Sequence, residues 1–248
     1  MANTVVAAQE KNSKTIDSPA ASIEAVQSTQ DLIVLDFDET LFLRNSTEAY
    51  LDAIHPRPLG AAWLFILKLI RPWRWLPARI RDDKLSRDWV FVLSATLLFP
   101  WTPLVWRYKA KTLAQKYWNK PLLEAIVRNQ NAQVIVATLG FSWIVNALMK
   151  HLPNEVKAKV KTPAIACGLL SGASDRARGK LAMVTEDVGE AALSEAVVMT
   201  DSMTDAPLLE AVKTPCLVVW PEAKYVPAMA EYLEAISRLR SRVKSRGA

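Results

Sequence analysis

The chain of 248 residues holds only two cysteines and two histidines. Cys167 and Cys216 lie far apart, each in an apolar run. That spacing excludes a disulfide framework and a thiolate metal cluster, and reads as two buried free thiols in a reducing compartment. His55 and His151 are too few for a histidine-rich metal centre, and His55, between Ile54 and Pro56, reads as a loop or packing residue. No secretory leader stands out, because residues 1–30 lack a charged segment followed by an apolar one. Rich in Ala, Ser, Thr, Gln and Asn without a period, they are expected to form a disordered tail. No internal repeat is visible.

Positive charge is present in excess, and it is local. The net charge is +6, yet between Arg57 and Lys111 eleven Lys or Arg face three acids (Asp82, Asp83, Asp88), a local balance of +8. Seven of the nine tryptophans (Trp63, Trp73, Trp75, Trp89, Trp101, Trp106, Trp118) fall in or beside that segment. The basic residues alternate with bulky aliphatics and Trp, a pattern of membrane surfaces, so no nucleic acid is expected as a partner. Leu59–Ile70 and Trp89–Trp106 are apolar, the latter 18 consecutive uncharged residues, the lower limit for a membrane span. Pro100 and Pro103 break that run, and Lys68 interrupts the shorter one. A single crossing would also put Asp36 and everything after Arg107 on opposite sides of the bilayer. The expectation is a hydrophobic helical pair in the membrane interface, the alternative being helices that pack on each other and on the core.

Outside this insert, strand and helix signals alternate. Leu32–Leu35, Val134–Ala137, Thr162–Ala166, Ala196–Thr200 and Cys216–Trp220 read as strands. Phe141–His151, Lys180–Val188, Ala206–Val212 and Pro227–Leu239 read as helices. Such alternation predicts an α/β fold with a doubly wound parallel sheet. The expected layout is a tail over 1–30, a core over 31–41 and 126–237, an all-helical insert over 42–125 and a basic tail over 238–248.

Polar groups gather where the strands end. The first strand runs into Asp36, Asp38 and Thr40, and ligands of open α/β sheets bind beyond the carboxyl ends of the strands. Two carboxylates spaced i, i+2 turn to one pocket while Phe37 packs the other way. A divalent cation relieves their repulsion, and oxygen ligands suit magnesium. Thr138 ends the next strand, and Leu139 and Gly140 lead toward a helix, offering a hydroxyl and free backbone N–H groups to a phosphate oxygen. Lys180 follows Arg178 and Gly179 at a helix start, where it can neutralise a transferring phosphoryl group. Asp201 ends another strand, with Asp205 four residues on.

The ordered set Asp-x-Asp-x-Thr, strand-end Thr, Lys and Asp-x-x-x-Asp, from Asp36 to Asp205, resembles the haloacid dehalogenase (HAD) superfamily. The resemblance implies a Rossmann-like core and a magnesium-dependent phosphatase. Asp36 matches the nucleophile that forms a phosphoaspartate, and Asp38 the acid/base. Thr138 and Lys180 match the phosphate binders, though Lys150, Lys157, Lys159 and Lys161 are nearby alternatives to the lysine. Asp201, with Asp36 and the Asp38 carbonyl, matches the Mg2+ site, with Asp205 as its supporting acid. Glu39 stands where many relatives have Gly. The insert falls where the superfamily places its C1 cap, and its Leu- and Trp-rich character is similar to HAD domains fused to UbiA-type membrane prenyltransferases.

The resulting expectation is a hydrolase of a prenyl or lipid phosphate, cytoplasmic and peripheral at the inner face of the membrane, with a separate membrane prenyltransferase as a possible partner. The alternatives are a soluble phosphoserine-phosphatase-like enzyme and a non-catalytic membrane-docking subunit. An apolar tunnel to Asp36 would favour the lipid, a small polar chamber the soluble substrate.

Overall fold

The computed structural model describes residues 15–81 and 85–223. The expected closing helix Pro227–Leu239 and the basic tail Arg238–Arg246 lie outside them. The sheet has five strands, β1 (Ile33–Leu35), β2 (Val134–Phe141), β3 (Ile165–Cys167), β4 (Val197–Thr200) and β5 (Thr214–Leu217). They are all parallel, in the order β3-β2-β1-β4-β5. β1 is central, and all three of its residues are buried. An apolar strand with helices on both faces explains that composition. The chain is an α/β protein, as its strand and helix signals predict.

The helices are α1 (Pro19–Ser28), α2 (Ser46–Leu51), α3 (Arg57–Ile70), α4 (Leu85–Leu98), α5 (Thr102–Tyr117), α6 (Lys120–Arg128), α7 (Ser142–Met149), α8 (Asn154–Lys157), α9 (Gly172–Val188), α10 (Glu190–Glu195) and α11 (Ala206–Glu210). The helix α1 corrects the expectation of a disordered tail for its described part. Val26 is fully buried, and Asn129 donates to the carbonyls of Val26 (2.6 Å) and Thr29 (2.8 Å), pinning α1 to the end of α6. Ile16 adds to the sheet beside Cys216, donating to Pro215 O at 2.9 Å. A short stripe, Ser22 and Val26, is enough to seat the helix once Asn129 meets its last carbonyls.

β2 runs four residues past its expected end at Ala137, so the next helix opens at Ser142 instead of Phe141. Its register with β3 shifts between Ala137 and Phe141, which turns the backbone of Thr138 to Gly140 out of the regular ladder.

Between β1 and β2 the described chain is helical. The apolar run Trp89–Trp106 divides at Pro100: α4 ends at Leu98, α5 begins at Thr102, and the pair bends by 112°. Among the described residues no single helix is long and apolar enough to cross a membrane. The inner faces pack as the core-facing alternative expects. Tyr50 stands edge-on to Trp106 (5.9 Å) and Trp143 (4.5 Å), and its hydroxyl lies 2.9 Å from Thr96 Oγ1. Trp106 is fully buried and donates to Ile144 O at 3.2 Å, joining α5 to the core helix α7.

Trp106→Ala empties this junction and removes the indole donor to Ile144 O, so it is expected to cost about 3–5 kcal/mol of stability. Urea unfolding of the two proteins measures this. A cost below about 1 kcal/mol would mean that the insert and the core do not share a core at Trp106.

Candidate active site

The site begins where β1 ends. The Asp36 N–H donates to Met199 O at 2.8 Å, the last ladder bond before the chain turns. Phe37 N–H donates to Asp36 Oδ1 at 2.7 Å, and the Phe37 ring turns inward, stacked on Phe42 at 5.7 Å and edge-on to Trp118 at 5.9 Å. The two flanking carboxylates therefore share one face, as the i, i+2 spacing requires. The turn closes with the Phe42 N–H on Phe37 O and the Glu39 N–H on Phe42 O, both 2.8 Å. Glu39 sits in the left-handed region at φ 60°, which explains why glycine suits this position.

Lys180 reaches this tip from α9. Gly179 breaks the helix at φ 81°, so Lys180 opens its second half, and its side chain is buried. Its ammonium lies 2.8 Å from Asp36 Oδ1 and 2.5 Å from Asp205 Oδ2, with all three side chains buried. Of the alternative lysines, Lys161 pairs with Asp187 at 2.8 Å, Lys159 donates to Val127 O at 2.8 Å, and Lys157 donates to Lys150 O. The Thr200 hydroxyl stands between the acids, 3.1 Å from Asp36 Oδ2 and 2.6 Å from Asp205 Oδ2. Asp205 is thus turned to Lys180 and Thr200.

On the other side, Asp38 Oδ1 accepts from the Ser46 N–H (2.6 Å) at the start of α2. Thr138 Oγ1 lies 3.5 Å from Asp38 Oδ2. The expectation of a free N–H at Gly140 is corrected: it donates to Thr138 Oγ1 at 2.9 Å. Gly140 is needed for space, since a Cβ there would sit 3.2 Å from both Asp38 Oδ2 and Thr138 Oγ1. Asp201 accepts from Thr40 Oγ1 at 3.5 Å. Asp36, Asp38, Glu39, Thr138, Leu139, Gly140, Lys180, Asp201 and Asp205 all line one cavity of about 200 Å³.

Charge is poorly balanced there. Burial raises Asp36, and the Asp205 charge adds to that, while Lys180 works against it. Burial brings Asp38 up to about 6, with Ser46 opposing. Burial and then the Asp36 charge bring Asp201 up to about 7. Burial works against the Lys180 charge, but Asp36 and Asp205 outweigh it and hold its pKa above the ordinary value.

The model of the haloacid dehalogenase-like hydrolases matches residues 33–210. The chain belongs to this family. No curated protein and no solved structure matches it. As a HAD-like hydrolase it is in a family whose members are usually phosphatases and typically use Mg2+. All eight residues expected to carry chemistry fall inside the matched span and on the one cavity.

Among the described residues no three Asp, Glu, His or Cys side chains form a ready metal cluster. Mg2+ does not require one, since it binds through one or two carboxylates and keeps several waters. Asp36 and Asp201 fit that pattern: both are oxygen donors held above their ordinary pKa by burial and by negative neighbours. The Asp38 main-chain carbonyl is the third donor implied for the HAD site.

Several functional contacts had little sequence signal. Thr200 directly precedes Asp201 at the strand end, a hydroxyl that the spacing of carboxylates passes over. Asn119 caps α6 and donates to Thr40 O at 2.9 Å, fixing the loop behind Asp201. Arg176, 5% exposed, donates to Leu139 O (2.8 Å) and Leu85 O (2.9 Å), tying the β2 turn to the insert. It lies one helical turn before Lys180, within a stretch whose periodicity Gly179 interrupts.

The raised carboxyls bind more protons folded than unfolded. Their contribution is full below the ordinary carboxylate range and is lost as pH rises through about 6 for Asp38 and about 7 for Asp201. Without metal the thermal midpoint should therefore fall between about pH 5 and about pH 8. Added Mg2+ should raise it more at the higher pH, where its ligands are already ionised. Thermal scans in both conditions check this, and a Mg2+ effect that is absent, or larger in acid, argues against a cation at this cavity.

Proposed function

We propose that the protein is a Mg2+-dependent phosphomonoester hydrolase that works through a phosphoaspartate on Asp36. The observation that carries this reading is the pairing of Asp36 with buried Lys180, opposite a second carboxyl, Asp38, whose pKa stands at about 6.

Asp36, its Oδ1 held by Lys180 and the Phe37 N–H, presents its carboxylate to phosphorus. The bond from phosphorus to the ester oxygen breaks as the bond to Asp36 forms. Asp38 gives its proton to the departing alcohol, a role suited by a pKa near the working pH. Asp38 then takes a proton from water attacking the acyl phosphate, and inorganic phosphate leaves with Asp36 restored. Lys180, Thr138 and the N–H of Gly140, once released from Thr138, bind the phosphoryl oxygens. When bound by Asp36, Asp201 and the Asp38 carbonyl, Mg2+ supplies the remaining positive charge. The helical insert serves as the cap: Leu85 and Asp88 of α4 line the same cavity, and Arg176 holds that helix to the β2 turn.

The substrate reading divides. The cavity lining includes Asn45, Thr47, Asp88, Ser202 and Thr204, and among the described residues Leu85 and Leu139 are its only large apolar side chains. That is a small polar chamber, which favours a short polar phosphomonoester. A prenyl or lipid phosphate would seat only its head group there, leaving the hydrocarbon on the outer surface of the insert.

Hydrolysis of p-nitrophenyl phosphate with Mg2+ tests the chemistry. Asp36→Asn should lower the rate by about 10³-fold or more, and Asp38→Asn by about 10²–10⁴-fold. Turnover retained in Asp36→Asn rules out the phosphoaspartate. Competition between phosphoserine and a prenyl phosphate then settles the substrate class: preference for the former ends the lipid reading.

A further inference from the structure

The helix α3 is apolar on two opposite faces. Gly60, Ala61, Leu64 and Leu67 are buried against the insert. Leu59, Ile66, Leu69 and Ile70 recur at helical spacing on the other side and are exposed by 59%, 42%, 56% and 50%. A helix of a soluble protein normally turns one stripe inward and covers the other with polar groups. At both ends of this stripe stands an exposed tryptophan. Trp75 follows α3 and is 76% exposed. Trp101, 45% exposed, donates from Nε1 to His55 O at 2.7 Å, which fixes the α4–α5 corner beside the start of α3. Trp63 Nε1 on Ser94 Oγ at 3.1 Å holds α3 along α4 between those points.

The rim of this face is basic. Arg57 at the start of α3 and Arg71 at its end are exposed, and among the described residues neither forms an ion pair with an acid. Arg57 stands near enough to α5 that its charge lowers the pKa of Lys109, an effect second to burial. Apolar side chains bounded by Trp and by Arg that no described acid pairs have the chemistry of a surface that enters a lipid interface and meets anionic head groups. A second copy of the chain is a poor occupant, because an isologous contact would set one basic rim against another.

We propose that the outer face of α3, with Trp75 and Trp101 at its ends, docks the protein on an anionic lipid bilayer. The docking places the enzyme and is independent of the hydrolytic step.

Co-sedimentation of the full chain with vesicles, either pure phosphatidylcholine or containing about 30 mol% phosphatidylglycerol, tests this. Strong binding to the anionic vesicles at low salt is expected, with at least about tenfold less on neutral ones and in high salt. The triple variant Leu69→Ser, Ile70→Ser, Trp75→Ala should weaken binding at least about tenfold. The separate pair Arg57→Glu, Arg71→Glu should do the same, and turnover of p-nitrophenyl phosphate should stay within about twofold in both. No sedimentation with anionic vesicles, or sedimentation that neither variant weakens, overturns the proposal. So does a dimer, seen by light scattering, that the triple variant dissociates, since a second copy then covers this face. Vesicle binding without turnover in the unmodified protein would leave the docking standing and remove the hydrolase.

Discussion

One buried ammonium shared by two carboxylates organises the centre of this protein. Lys180 comes from α9, Asp36 from the tip of β1 and Asp205 from the turn after β4, so three separated segments meet on one charge. Removing Lys180 would leave two buried carboxylates without their counter-charge, which costs far more than an exposed ion pair is worth. One cation against two anions leaves a deficit of positive charge, and Asp38 and Asp201 deepen it. A cavity with that deficit is prepared for something positive, which a family that typically uses Mg2+ would provide.

The insert is tied to this centre from behind. Trp89 of α4 donates to Leu169 O at 2.8 Å, and Arg176 spans from Leu85 to the turn that carries Thr138 and Gly140. Arg176 also stacks over Phe141, 4.6 Å from the ring centre. Movement of α4 would therefore be felt at the end of β2 through a single guanidinium. The helices of the insert thus do two things with one composition: inner apolar residues pack on the core while outer ones remain in solvent.

The parallel sheet and the acidic strand ends were legible because both are local signals. An apolar run followed by Asp or Thr needs no knowledge of distant partners, and Asp36, Thr138 and Asp201 all fall at such places. What escaped is what depends on tertiary contact. Helix α1 has a weak pattern of its own and is held by Asn129, a hundred residues on. Thr200 gains its place only because Asp36 and Asp205 flank it. The extension of β2 to Phe141 depends on its shifted register with β3, which no reading of residues 134–141 alone reveals. The apolar content of the insert was plain, but composition cannot distinguish an inward from an outward face without the neighbours of α3. The lining of the chamber was the least legible of all, since Asn45, Thr47, Ser202 and Thr204 are ordinary turn and cap residues until the fold gathers them.

Glu39 keeps a left-handed backbone at φ 60° that costs a non-glycine residue about 1–2 kcal/mol. In return a fixed negative charge stands on the wall of the chamber, where it adds to the forces raising Asp201. Such a guard would act in opposite senses on a dication and on a phosphate ester. It draws dications inward more strongly than glycine would, and it penalises every surplus negative charge on an arriving ester. Compounds bearing a lone phosphate should therefore be admitted more readily than those bearing two in series, an entrance rule set by the turn and not by the groups that perform the chemistry.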